Sequence, residues 1–236
     1  MVGLILAAGE GRRLFGVGAA EGCKPLVEVH GKHLLSYALD NLLLLDIRQV
    51  IIVVGKHADA IKAVYGDTYE GMHLIYAYQD KPNGIANAIL SAEAYIKDDF
   101  ALQLSDEIFW GIKLRKSPLN GCTDFAVGFV EEEDEDKIKG NYSIEIDSQG
   151  TVLKCTEKPQ VTTNRYKGTG FCFFKREALD ILKRCYKKAY NQPADLCDFI
   201  NLLISKGSRG SVIEIADAEI NINTEQELQH ARQITG

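Results

Sequence analysis

Gly9, Gly11 and Arg13 stand directly after the apolar run Val2 to Ala8, and residues of these types at this spacing suit the capture of a polyphosphate. Glycine leaves backbone N–H groups open to phosphate oxygens, and an arginine adds a two-pronged donor. Taken alone, a G-x-G turn reads first as an ordinary strand-to-loop connection. Lys24 follows in the run Lys24-Pro25-Leu26; Pro25 biases the residue before it toward an extended backbone, which would hold the ammonium over the same phosphates. A solvated loop lysine fits that local sequence as well. Asp106 ends the run Ala101-Leu102-Gln103-Leu104-Ser105, where its carboxylate would point into a ligand crevice; a cap on the following segment is the alternative.

These residues need a frame that brings 9–13, 24 and 106 together. Short β-branched runs near 2–7, 50–54, 73–77 and 100–104 alternate with helical patterns near 34–45, 57–65 and 84–96. That alternation predicts an α/β fold, a Rossmann-like three-layer sandwich with a mostly parallel central sheet and helices on both faces. In such folds ligands bind outside the carboxyl ends of the strands. The second half changes character. Runs at 124–130, 142–146, 151–156 and 169–174 follow one another through turn signals such as Asp147-Ser148-Gln149-Gly150, and predict a small antiparallel subregion on the same sheet. Helices near 176–188 and 195–206, a strand near 211–215 and a helix from about 224 close the chain, with Thr224 and Glu227 spaced as a capping box.

With 236 residues, 46% of them hydrophobic, the chain can bury a core as one domain. A net charge of −6 leaves no broad basic face for nucleic-acid phosphates, so an anionic ligand must be held by a few placed cations or a metal. Six cysteines without a C-x-x-C pair fit free thiols in a reducing cytoplasm. No run approaches the ~20 apolar residues of a membrane span, and Val2 to Ala8 lacks the preceding basic region of a signal peptide. The acidic run 131–137 reads as a solvated loop without chemistry, and the five histidines show no metal-ligand spacing. Neither nucleic acid nor membrane is expected as a partner, and homo-oligomerisation is left open.

Three rival motifs fail. A dinucleotide fingerprint wants a third glycine where Leu14 stands and an acid where the second strand ends in Gly55-Lys56; a Walker A loop wants G-K-[ST]; a metal-dependent glycosyltransferase wants a second acid one residue beyond the neighbour of Asp106. What fits is the ordered set L-A-A-G-x-G-x-R-L, K-P-L and G-K-x-L-L-x-Y-A-L. It continues through Gln79-Asp80-Lys81-Pro82-Asn83-Gly84-Ile85-Ala86-Asn87-Ala88, Leu104-Ser105-Asp106, Glu157-Lys158-Pro159, Gly168-Thr169-Gly170-Phe171 and Asn223-Thr224-Glu225-Gln226-Glu227-Leu228. Across nearly the whole chain this resembles the sugar-phosphate nucleotidylyltransferases, the nucleotide-sugar pyrophosphorylases, and within them the thymidylyltransferase-like members.

The resemblance implies a magnesium-dependent transfer of a nucleoside monophosphate from a nucleoside triphosphate to a sugar 1-phosphate, giving a nucleoside diphosphate sugar and pyrophosphate. It implies a nucleotide-binding half over about 1–116 and an acceptor-binding half over about 117–236. Arg13, Lys24 and Asp106 would be catalytic, with Leu6, Ala8, Gly9, Gly11, Arg13, Gln79 and Gly84 on the nucleotide, Glu157, Lys158 and Gly170 on the acceptor, and Mg²⁺ at Asp106 with Asn221 or Asn223. Arg12 would face solvent. Read without the resemblance, Gln79 is equally a polar loop residue, Glu157 and Lys158 a surface ion pair, Gly170 a bulge and Asn223 a helix cap. Gln79 leans toward a pyrimidine base.

The chain departs from the family pattern at Ser105, where a glycine is usual, at Cys23, often a proline, in the unusual loop Phe15 to Gly22, and in the neutral Asn221 where an acid is frequent. Two other readings follow: a non-sugar phosphate or phosphonate acceptor, and a nucleotide-sugar-binding module without catalysis. The chain is expected to carry neither a left-handed β-helix domain nor a helical tail.

Overall fold

The computed structural model describes residues 1–9, 11–15, 22–81, 83–189 and 194–234, with the backbone alone at Arg12 and 186–189. Glu10, Pro82, the stretch inside the expected Phe15–Gly22 loop and the side chain of Arg12 lie outside the described residues.

In chain order the first half runs β1 (Val2–Leu6), α1 (Arg12–Phe15), a single 3-10 turn (Lys24–Leu26), β2 (Glu28–Val29), β3 (Lys32–His33), α2 (Leu34–Leu43), β4 (Gln49–Val54), α3 (Ala58–Tyr65), β5 (Thr68–Tyr69), β6 (Met72–Tyr78), α4 (Gly84–Ser91), β7 (Phe100–Leu104) and β8 (Glu107–Trp110). The second half runs β9 (Phe125–Glu131), α5 (Glu135–Lys139), β10 (Tyr142–Ile146), β11 (Val152–Glu157), β12 (Tyr166–Phe174), α6 (Arg176–Ala189), α7 (Leu196–Ser205), β13 (Gly210–Glu214), β14 (Ala218–Asn221) and α8 (Glu225–Gln233).

Strands β7, β1, β4 and β6 pair in parallel and form the centre of one large sheet. β1, β4 and β7 are near-continuous apolar runs because both of their faces are covered, whereas β6, toward the sheet edge, alternates and leaves His73 and Tyr78 exposed. On one face α4, α6 and α7 pack over Leu4, Phe100, Leu102 and Phe174; on the other α2 and α3 pack over Ile5, Ile52, Ala101 and Phe173. The antiparallel subregion is present on the same sheet: β12 pairs with β7, β9 and β10, and β10 pairs with β11. β13 joins β9 in parallel.

The acidic run is not all loop. β9 extends to Glu131, and Asp134 caps α5 by accepting from Asp136 N at 3.0 Å. Acids in its first turn and lysines in its last suit the helix dipole, and buried Ile138 anchors it. The sequence patterns also passed over an antiparallel ribbon, β8 with β14, which carries a third apolar cluster of Leu14, Val29, Leu34, Ile108, Ile222, Leu228 and Ala231. This ribbon brings the chain's last quarter to Asp106.

Candidate active site

A cleft of about 490 Å³ opens at the carboxyl ends of the parallel strands, lined by the turn after β1, the Lys24 turn, the start of α4, the β7–β8 turn and Asn223. The expected nucleotide residues Leu6, Ala8, Gly9, Gly11, Arg13, Gln79 and Gly84 all line it, as do Lys24 and Asp106. Pro25, Ile85, Ala88, Leu104 and Ser105 line it too. Of these, Ala88 follows from Gly84 by the helical period of α4, one turn on. A Cβ built on Gly9 would meet nothing within 4 Å, so the space above that turn is open to a ligand. Gly11 has φ +63°, a left-handed backbone in which its carbonyl accepts from Leu14 N at 3.0 Å and Phe15 N at 3.1 Å, turning the chain into α1.

One cluster joins three segments distant in sequence. The Lys24 ammonium donates to Asp106 Oδ2 and to Asn223 Oδ1 (3.0 Å), and Arg13 donates to the same Asn223 oxygen at 2.8 Å. Asn223 Nδ2 in turn donates to Asn221 Oδ1 at 2.7 Å. Lys24 is only 7% exposed, so it is no solvated loop lysine. Nor is its backbone extended as Pro25 suggested. Leu26 N bonds to Cys23 O at 2.9 Å and Val27 N to Lys24 O at 3.0 Å, and these two bonds close a 3-10 turn against the pre-proline preference.

The helix-cap readings also resolve. Asp106 sits in the two-residue turn between β7 and β8 with no helix to cap. Thr224, not Asn223, caps α8 through a reciprocal box with Glu227, which leaves the Asn223 side chain to the cation cluster. Glu227 Oε2 accepts from Asn223 N at 2.7 Å and so fixes that residue's backbone.

At the other end of the cleft Gln79 is buried, with Nε2 donating to Asn87 Oδ1 at 2.9 Å and more weakly to Gly84 O at 3.5 Å. A backbone carbonyl only accepts, so the amide atom facing Gly84 is the nitrogen and the remaining group is the acceptor Oε1. Gly84 opens α4 with φ +83°, a conformation that favours glycine. Asn87 is a site residue that the sequence patterns did not single out.

Glu157 and Lys158 are exposed at the end of β11, and Lys158 N donates to Asn141 O at 2.7 Å. Protein packed around the Glu157 carboxyl raises its pKa above the ordinary value; Asp195 adds to this, while Lys158 and Arg13 oppose it. Neither Glu157 nor Lys158 is among the residues that line the cleft. Gly170 lies in an irregular stretch of β12, so the bulge reading holds. A Cβ there would fall 2.3 Å from Leu104 Cγ and 2.9 Å from Glu107 Oε2, so the glycine answers to packing against those two side chains. Buried Glu107 accepts from Gly170 N at 2.7 Å, and burial, then Glu219, then Asp106, raise its pKa well above the usual carboxyl range.

A glycine-rich turn and a lysine–aspartate–asparagine cluster at the carboxyl edge of a parallel sheet define a nucleotide-handling α/β protein. More narrowly, residues 2–217 match the nucleotidyl transferase family, and the chain belongs to it. The UTP–glucose-1-phosphate uridylyltransferase AglF of Haloferax volcanii is 29% identical over 238 residues, spanning 99% of this chain and 96% of that one. A glucose-1-phosphate thymidylyltransferase of Mycolicibacterium smegmatis is 29% identical over 215 residues, 88% of this chain and 72% of its own. A UDP-glucose pyrophosphorylase solved with UDP-glucose shares the fold, with TM-score 0.82 over 98% of this chain and 97% of its own, at 18% identity. Among the described residues no helix is long and apolar enough to cross a membrane.

Proposed function

We propose that this chain transfers a nucleoside monophosphate from a nucleoside triphosphate to a sugar 1-phosphate in the cytoplasm, releasing pyrophosphate and a nucleoside diphosphate sugar. The observation that carries the reading is the convergence of Lys24, Arg13, Asn223 and Asp106 on the wall of the cleft lined by Gly9 and Gly11.

An ionised oxygen of the acceptor phosphate attacks the α-phosphorus in line, the bond from that phosphorus to the bridging oxygen breaks, and the electron pair leaves with pyrophosphate. The attacking oxygen is already an anion, so no general base is needed. This chain's residues align the two phosphates and neutralise charge. The amides around Gly9 and Gly11 cradle the triphosphate, Arg13 takes its β and γ groups, and Lys24 exchanges Asp106 for the α-phosphate or the departing pyrophosphate.

The oxygens of Asp106 and Asn223 already converge on one cation, the Lys24 ammonium, and a single carboxylate with neutral oxygens and substrate phosphates is a donor set that suits Mg²⁺. Asp106, with Asn223 or Asn221, would hold that ion, which neutralises phosphate charge when bound. At the base, Oε1 of Gln79 accepts from a ring N–H such as N3–H of uracil or thymine, while N3 of cytosine offers only a lone pair. Glu157 accepts from a pair of sugar hydroxyls, and Lys158 meets the acceptor's phosphate. The relatives act, by their names, on glucose 1-phosphate with UTP or as thymidylyltransferases, which supports a hexose 1-phosphate here.

The test is pyrophosphate release with Mg²⁺ across the four ribonucleotides and dTTP, each paired with a panel of sugar 1-phosphates. Release with UTP or dTTP and a hexose 1-phosphate is expected. Silence across the panel would overturn the reading.

A further inference from the structure

We propose that Glu107 is a positioning residue that ties the acceptor-side strand β12 to Asp106, with the buried pair Lys167–Glu219 as a second tie from the same ribbon. This rests on the proposed reading, in which Asp106 serves the triphosphate, and on the expectation from the family resemblance that Gly170 meets the acceptor.

β12 is irregular where it matters. Its pairing with β9 shifts register between Gly168 and Cys172; on its other side the ladder with β10 is at Lys167 and that with β7 starts at Cys172. Buried backbone outside a ladder is costly unless other groups take up its N–H and C=O. The Tyr142 hydroxyl donates to Thr169 O at 2.6 Å, and Glu107 Oε1 accepts from Gly170 N at 2.7 Å. Tyr142 belongs to β10 of the same sheet. Glu107 reaches in from β8, and the residue before it is Asp106.

The second tie repeats the design. Lys167 Nζ lies 2.8 Å from Glu219 Oε2 and donates to Glu219 O at 3.2 Å, with the two side chains 7% and 0% exposed. Glu219 stands on β14 two residues before Asn221, which pairs with Glu107 across the ribbon. Leu104, which lines the cleft, fills the space beside Gly170. The separation between the phosphate cluster and the acceptor stretch is thus set by four side chains, of which Glu107, Lys167 and Glu219 are buried and Leu104 lines the cleft wall. A carboxyl at a position only 1% exposed costs more than a leucine, and the bond from Gly170 N to Oε1 offsets part of that cost while Oε2 has no hydrogen-bond partner among the described residues.

The test compares Glu107→Leu, Glu107→Gln and Glu107→Asp in the full chain, the last a fallback should leucine prevent folding. Calorimetry reads UTP with Mg²⁺ and UDP-glucose separately, and amide exchange reads Gly170. Leu and Asp are expected to weaken UDP-glucose binding about tenfold or more, a lost buried hydrogen bond, and to leave UTP within about twofold. Gly170 exchange should quicken in those two only, and Gln, which keeps the acceptor oxygen, should match wild type. Folded Leu or Asp variants that bind UDP-glucose like wild type, an equal loss for both ligands, or a Gln variant as weak as Leu would overturn the proposal. Wild-type protein that binds both ligands yet releases no pyrophosphate contradicts the proposed reaction and leaves this tie in place. Wild-type protein that binds neither overturns both.

Discussion

Lys24 and Asp106, 82 positions apart in sequence, are joined side chain to side chain on the wall of the cleft. Each is mostly shielded, with side chains 9% and 21% exposed, so neither charge is easily left alone. In the proposed reaction both act on one transferring phosphoryl group, Lys24 directly and Asp106 through the ion it would hold, which makes them one functional unit. Lys24→Met and Asp106→Asn are each expected to lower kcat about 10²- to 10³-fold, the range for losing one placed electrostatic contact in a transition state. Residues that act together lose their effects non-additively, so the double variant should be little slower than the worse single one. Steady-state rates of the three variants check this, and losses that multiply would show two independent roles.

Asn87 takes the stronger of the two bonds that hold the Gln79 amide in one orientation, the other being the longer bond to Gly84 O. Asn87→Leu leaves only that weak bond, so the amide turns readily and offers N–H to a base, which cytosine N3 accepts. The ratio of kcat/KM for UTP over CTP should fall about tenfold, equivalent to ~1.4 kcal/mol, with sugar-phosphate KM unchanged. Rates with the two triphosphates as competitors measure it.

Glu157 takes up its proton at a higher pH than an unperturbed glutamate because packing raises its pKa. As pH falls toward the ordinary carboxyl range the wild type therefore loses its charged acceptor early. Glu157→Gln should raise sugar-phosphate KM about tenfold at neutral pH, and the mutant-to-wild-type KM ratio should shrink toward one as pH is lowered. Taking that ratio cancels titration of the sugar phosphate itself.

Away from the cleft, Asp124 accepts from Arg209 N and from Lys175 Nζ, each at 2.9 Å, and these contacts hold its pKa below the usual value. A carboxyl with a depressed folded pKa stabilises the fold above its unfolded pKa and loses that contribution as pH falls through the folded one. Asp124→Asn should cost about 1 kcal/mol or less at pH 7, the figure being discounted because the side chain is 40% exposed. Denaturant melts at descending pH should show the difference vanish below the ordinary aspartate range.

The parallel half of the sheet was legible because β1, β4 and β7 are buried on both faces, β6 alternates as a half-covered strand does, and Gly9, Arg13, Gln79, Gly84 and Asp106 stand where those strands end. The β8–β14 ribbon was not. In Glu107-Ile108-Phe109-Trp110 and Ala218-Glu219-Ile220-Asn221, a polar residue in alternation reads as solvent-facing, and only the packing of β12 turns Glu107 and Glu219 inward. Asn87 was hidden for a similar reason, since its partner Gln79 precedes the helix and meets it only after the turn at Gly84. Lys24 was found for its charge while its backbone was misread, because two turn hydrogen bonds outweighed a local proline preference.

The most direct measurement is formation of nucleoside diphosphate glucose from glucose 1-phosphate and UTP or dTTP with Mg²⁺, followed for wild type and for Asp106→Asn at saturating substrates. Pyrophosphate and nucleotide sugar in equal amounts are expected from the wild type, with a fall of about a hundredfold or more in the variant. A variant as fast as wild type, or a wild type that makes no nucleotide sugar, would contradict the proposed reaction.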